Sequence, residues 1–204
     1  MAELQNHLTL KRCPHCRVDN PNITQQTRFT TNSFDNTHLR YWGIYKCNRC
    51  GGVITGASNY ETGYVKEIYP DEIEVDDCLP EKAKAFLDQA IDSLHAPSGA
   101  IMLAASSIDA MLKDKGYKKG SLYSRINKAT EDHLITEGMA KWAHEVRLGA
   151  NDERHADEEA ALPDGNEAKL TVDFALALAE FLFVLPSRVE RGIKNATESE
   201  EKTE

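Results

Sequence analysis

The chain has 204 residues, 41% of them hydrophobic and 28% charged, with a formal net charge of −9. This is an ordinary globular composition with room for one sizeable domain, or for one domain and a small metal-stabilised module. It excludes a disulfide framework, since the five cysteines are an odd number, and it excludes a membrane span, since the most apolar run, residues 174–185, falls short of roughly 20 residues and contains Glu180.

The charge is divided unevenly. Residues 1–66 hold eight Lys/Arg against four acids, a balance of +4, and residues 67–204 carry −13. A basic end joined to an acidic body points to a polyanionic partner for one end only, while the acidic body itself is accounted for by solubility. No apolar stretch follows Met1, so no secretory signal is expected. Cysteines in metal-type pairs suit a reducing, cytoplasmic compartment.

In chain order, the first motif is a pair of C-x-x-C knuckles, Cys13-Pro14-His15-Cys16 and Cys47-Asn48-Arg49-Cys50, separated by 30 residues. Each knuckle aims two thiolates at one ion, and two knuckles complete a closed tetrahedral site. The expected cofactor is one structural zinc ion, with a disulfide or a labile iron site as the alternatives. Gly51-Gly52 after the second knuckle permits the turn that brings backbone N–H groups toward sulfur. His15 reads as an exposed bystander. Arg28-Phe29-Thr30, residues 39–46, Val53-Ile54-Thr55 and residues 64–69 read as strands, with turn chemistry at residues 32–36. Residues 1–69 are therefore expected to form a zinc ribbon. Its aromatics Tyr41, Trp42 and Tyr45 have two readings, the ribbon's own core or a stacking surface for bases. On the second reading Arg40, Trp42 and Arg49 are the candidate nucleic-acid contacts.

Tyr69-Pro70 marks a boundary, and the acidic residues 70–79 read as a linker. Its Cys78 reads as a partly buried, unreactive thiol, because Glu74, Asp76 and Asp77 disfavour the thiolate. From Pro80 the periodicity turns helical, with Ala83, Phe86, Leu87, Ala90, Ile91 and Leu94 at three- and four-residue steps. Ala96-Pro97-Ser98-Gly99 ends that helix. A second runs from about Ala100 to a C-cap at Gly116, and a third carries Leu122, Ile126 and Ala129 on one face. A fourth is expected over residues 131–155, with Gly138 as a candidate break, and residues 156–165 read as a loop. The last helix begins near Asn166 and either ends at Pro186 or continues past it with a kink. The polar residues 194–204 read as a disordered acidic tail. The expected fold class is α+β: a small β module, then an all-α bundle of four or five helices over residues 80–193.

One polar row stands out. His144, Arg147, Asn151 and His155 share a face of the fourth helix if that helix is unbroken, and Gly149 is where it would break. Arginine, asparagine and histidine so placed suit RNA cleavage, with histidine moving a ribose proton and arginine stabilising the phosphorane. The other reading is a solvated helix face.

Arg147-Leu148-Gly149-Ala150-Asn151-Asp152-Glu153-Arg154-His155 is similar to the Arg-x-x-Gly-Asn-x-x-Ala-His signature of the domain of unknown function 4145 family. Lys119-Gly120-Ser121-Leu122 and Arg125-Ile126 resemble its turn and next helix. The resemblance spans about residues 69–188. That family occurs alone and attached to restriction-type nucleases, and it has been compared with the HEPN superfamily of helical ribonucleases and nucleotide-binding proteins. The resemblance thus implies a HEPN-like bundle, homodimerisation, and an association with nucleic acid or phage defence. Two departures stand against catalysis. Ala150 precedes Asn151 where HEPN ribonucleases have arginine, and Ser106-Ser107 with Asp109 replace an Arg-Glu pair. The expected function is a non-enzymatic accessory protein whose ribbon contacts nucleic acid or a protein partner, with no membrane contact. The rivals are a metal-independent ribonuclease using His155, Arg147 and Asn151, and a nucleotide or small-molecule sensor on the same face.

Overall fold

The structure is a computed structural model that describes residues 2–71, 73–155 and 161–200, with the side chains of Asp152, Arg154, His155 and residues 198–200 outside that description. It divides into two units, Met1–Ile73 and Glu74–Glu204.

The first unit is a four-stranded antiparallel meander, ordered β1 (Ile23–Asn32), β2 (Leu39–Cys47), β3 (Val53–Ser58) and β4 (Glu67–Tyr69). β1 is longer than its central Arg28-Phe29-Thr30 suggests, and a bulge between Gln25 and Thr27 resets its register against β2. β4 is shorter than the run 64–69, because Tyr64 pairs instead with Glu3. The hairpin between β1 and β2 turns on Asn36 at φ 58°, with the Asp35 carboxylate accepting from Ser33 and Thr37. Those bonds hold the Asp35 carboxyl below the usual carboxylate range.

Alternation along β2 decides which side chains enter the core. Tyr45 and Cys47 are buried with Leu4, Leu8, Leu10, Cys13, Ile23 and Ile54, and Tyr41 packs at the edge of this cluster. Burial pushes the Tyr45 phenol above its ordinary value. Trp42 points to the opposite face. So small a core would gain further stability from an ion held between the two knuckles.

The second unit is helical: α1 (Glu81–Asp92), α2 (Pro97–Asp114), α3 (Leu122–Glu131), α4 (Glu137–His155), α5 (Gly165–Ala179) and α6 (Leu185–Glu200). α5 and α6 form one rod through a π-helical turn at Glu180–Val184, so the described residues of the bundle make five helical rods. Leu87, Ala90, Ile91, Ile101, Ala104, Ile108, Met111, Ile126, Val172, Phe174 and Leu178 are fully or almost fully buried. The alanines on α1, α2 and α5 let those helices approach closely. Pro97 occupies the first turn of α2, where its missing N–H costs nothing. Asp164 caps α5 in a reciprocal box with Glu167.

Three expectations need correction here. Residues 131–136 do not open the fourth helix. His133 takes φ 57°, the chain turns there, and α4 starts at Glu137 with the Thr136 hydroxyl accepting from the Met139 N–H. Residues 74–79 are not a free linker. Val75 and Leu79 are buried within the helical unit, and the Val75 carbonyl accepts from Lys84 Nζ. Cys78 there is exposed, and its thiol is pushed up by partial desolvation and by Asp76 beside it. Finally, α6 is helical to Glu200, across residues that composition assigned to a disordered tail. Lysine, alanine and glutamate are good helix formers, and Thr197 returns a hydrogen bond to the Ile193 carbonyl. Residues 201–204, and residues 156–160 of the expected loop, lie outside the described part. Among the described residues no helix is long and apolar enough to cross a membrane.

Candidate functional site

The four thiols of Cys13, Cys16, Cys47 and Cys50 lie within 4.8 Å of one another, the Cys13 and Cys50 sulfurs being 3.9 Å apart. A tetrahedral ion with metal–sulfur bonds of about 2.3 Å requires sulfurs about 3.8 Å apart, so a small contraction closes the shell. The two knuckles share one backbone plan. In each, the residue after the second cysteine has positive φ: Arg17 at 55° and Gly51 at 75°. In each, its N–H donates to the carbonyl of the first cysteine. The Gly52 N–H reaches the Cys50 sulfur at 3.4 Å, a contact that stabilises a thiolate. The four cysteines thus form a cluster able to hold one metal ion without an open coordination position.

Electrostatics in the cluster is uneven. Burial pushes the Cys13 thiol up to about 12 and raises Cys50. Burial also acts on Cys47, but the backbone groups of Cys50 and Arg49 and the neighbouring thiols outweigh it and bring that thiol to about 7. Cys47 is the first thiolate available to a metal, and the ion's charge would draw off the other protons.

His15 is exposed, as expected, yet it has a structural task. Its Nε2 sits 2.7 Å from the Val53 carbonyl oxygen, and its ring covers Gly52 so closely that a Cβ there would lie 2.4 Å from ring carbon. The histidine latches the first knuckle to the strand leaving the second. Gly52 is required by this close approach.

The candidate nucleic-acid residues separate. Trp42 lies on the outer sheet face, near-parallel to its cross-strand partner Phe29 at 6.2 Å between ring centroids and 6.4 Å from Tyr69. Its indole N–H donates to Thr31. Arg40 stands 5.7 Å over the Trp42 ring and pairs with Glu67 at 2.6 Å. Phe29 and Tyr69 are 44% and 46% exposed and flank a half-buried Trp42, so the three aromatics form one partly open platform. Arg49 belongs elsewhere. It lies in the second knuckle, beyond the opposite end of β2, roughly 20 Å or more along the strand from Arg40. The two aromatic readings therefore divide by strand parity, Tyr45 serving the core and Trp42 the surface. Phe29 and Tyr69 were missed because their strands gave no signal of facing.

On α4, Gly149 does not interrupt the helix. Arg147 and Asn151 line one open groove of about 1210 Å³, together with residues of α1, α2 and α3. His144 does not enter it. Its Nε2 meets Asn127 Oδ1 at 2.9 Å and its ring rests 4.9 Å from Tyr123. Burial, and then the Arg147 charge, lower its pKa. The backbone of His155 ends α4, and its side chain lies outside the described residues. Asp109 is not a lost ion pair. It pairs with Arg125 at 2.6 Å and Lys113 at 2.5 Å, and Arg125 also donates to the Tyr117 carbonyl.

No curated protein and no solved structure matches the chain. The family model described as domain of unknown function (DUF4145) matches residues 88–196, which takes in the last part of α1, all of α2 to α5 and most of α6. The chain therefore belongs to the DUF4145 family.

Proposed function

We propose that this is a non-enzymatic accessory protein in which a zinc-ordered ribbon presents its outer sheet face to single-stranded nucleic acid, while the DUF4145 bundle pairs with a second copy. The ion is read as zinc because four thiolates in a closed shell suit a redox-inert tetrahedral metal, and its task is structural. The observation that carries the nucleic-acid reading is the platform of Phe29, Trp42 and Tyr69, carried on β1, β2 and β4 of a ribbon whose residues 1–69 have a net charge of +3. Aromatic side chains on an open sheet stack on bases with little regard to sequence, at about 1–3 kcal/mol per base. The pairing of the bundle is read from Leu185, Val189 and Ile193, spaced four residues apart along α6 and all exposed.

The test uses the tryptophans. The chain has two, Trp42 and Trp142, so in a Trp142→Phe background Trp42 alone reports. Oligo(dT) should quench its fluorescence, and Phe29→Ala should weaken binding roughly tenfold. Glu67→Gln, which releases Arg40 from its ion pair, should tighten binding and steepen its salt dependence. Binding that ignores both substitutions removes the platform from the reading.

A further inference from the structure

The helical unit is strongly acidic, yet one wall of it inverts that charge. Five cations (Lys82, Lys113, Lys118, Arg125 and Arg147) and three acids (Glu81, Asp109 and Asp114) line the groove bounded by α1, α2, α3 and α4. Two of those cations are committed to Asp109. Arg147 is not: among the described residues it has no hydrogen bond or ion pair, and its Nε is buried without an acceptor. An unanswered guanidinium nitrogen out of water is costly, and a ligand oxygen in the groove would supply its acceptor. Arg147 is also aimed. Its guanidinium carbon lies 5.4 Å from the centroid of the Tyr123 ring, a contact that restrains it on the groove wall and leaves its N–H groups for an oxyanion. One helical turn on, Asn151 enters the same groove with an amide donor, and Phe86, Ala105 and Ala150 supply an apolar floor.

From this we propose that the groove binds a small organic oxyanion, a phosphate or carboxylate on an apolar body, with Arg147 as its charge contact and Asn151 as its neutral donor. The apolar body lies against Phe86 and the alanines. The site is independent of the ribbon surface, so either can fail without the other.

Isothermal titration of the full chain with adenosine monophosphate, benzoate, inorganic phosphate and neutral adenosine tests it. At least one organic anion should bind at about 1 mM or tighter, and adenosine should not. A response to adenosine monophosphate and phosphate but not to benzoate identifies phosphate as the group read, and the reverse identifies carboxylate. Arg147→Gln should weaken the binding at least tenfold. Asn151→Asp, which sets a like charge beside the anion at a half-buried position, should weaken it comparably, and it keeps the test alive if the arginine variant does not fold. Unchanged affinity in a folded Asn151→Asp or Arg147→Gln protein overturns the proposal, as does the absence of binding by every anionic probe.

Discussion

The two units are stabilised by different means. The bundle buries a continuous set of leucines, isoleucines, alanines and Phe174 between helices. The ribbon buries eight core residues, two of which are metal-site cysteines. One unit rests on apolar area distributed along rods, the other on a point where four sulfurs converge. A distributed core loses stability in proportion to what is removed. A convergent one fails when its centre fails.

On the proposal that the four cysteines hold zinc, the largest effect should come from removing it. Chelation, or Cys47→Ser, should abolish the sheet while leaving the helical circular dichroism, because binding on the order of 10 kcal/mol is tied to folding the ribbon. Strand resonances that persist in metal-free protein would erase the contrast. Next in size is the reverse experiment. Phe174→Ala opens the bundle core beside Trp142, whose ring is 4.8 Å away, and should cost about 3–5 kcal/mol in denaturant unfolding. The metal content should stay at one equivalent. Asp164→Ala, which removes the reciprocal cap of α5, should cost about 1 kcal/mol on the same transition.

The smallest effect is a pH slope. His144 has a depressed pKa in the folded state, through burial first and Arg147 second. The folded protein therefore takes up this proton less readily than the unfolded chain. The contribution of His144 is full above the unfolded value of about 6.5 and is lost as pH falls toward the lower folded value. His144→Gln should flatten that part of the stability profile measured by urea titration, and an unchanged slope would mean the histidine is not a titrating element of the bundle.

How far the sequence could be read differs between the units for the same reason. The two C-x-x-C pairs announce the metal cluster because their spacing is the chemistry. Helical periodicity announces α1, α2 and α5 because each buries a regular stripe. What stayed hidden has no local signature. Leu4, Leu8 and Leu10 join the ribbon core through isolated bridges. Arg17 takes a left-handed conformation where glycine would have signalled a turn, and His133 ends α3 in the same way. The groove at Arg147 is assembled from four helices, so no window of sequence contains it. The facing of Trp42 away from Tyr45 was available from parity alone, once β2 was taken as a strand.

The π-helical turn at Glu180–Val184 has a consequence for the C-terminal rod. A π turn is an α-helix carrying one residue too many. Here the Leu185 N–H reaches back to the Glu180 carbonyl, and the widened backbone admits Pro186, whose ring would crowd the preceding turn of a regular helix. The surplus residue also sets an angular offset, about 100° at one residue of helix, between the part of the rod that enters the core and the part that carries Leu185, Val189 and Ile193 outward. Deleting a single position from that turn would spin everything downstream like a key in a lock, and would change what the end of the protein shows to its surroundings while leaving its composition almost untouched.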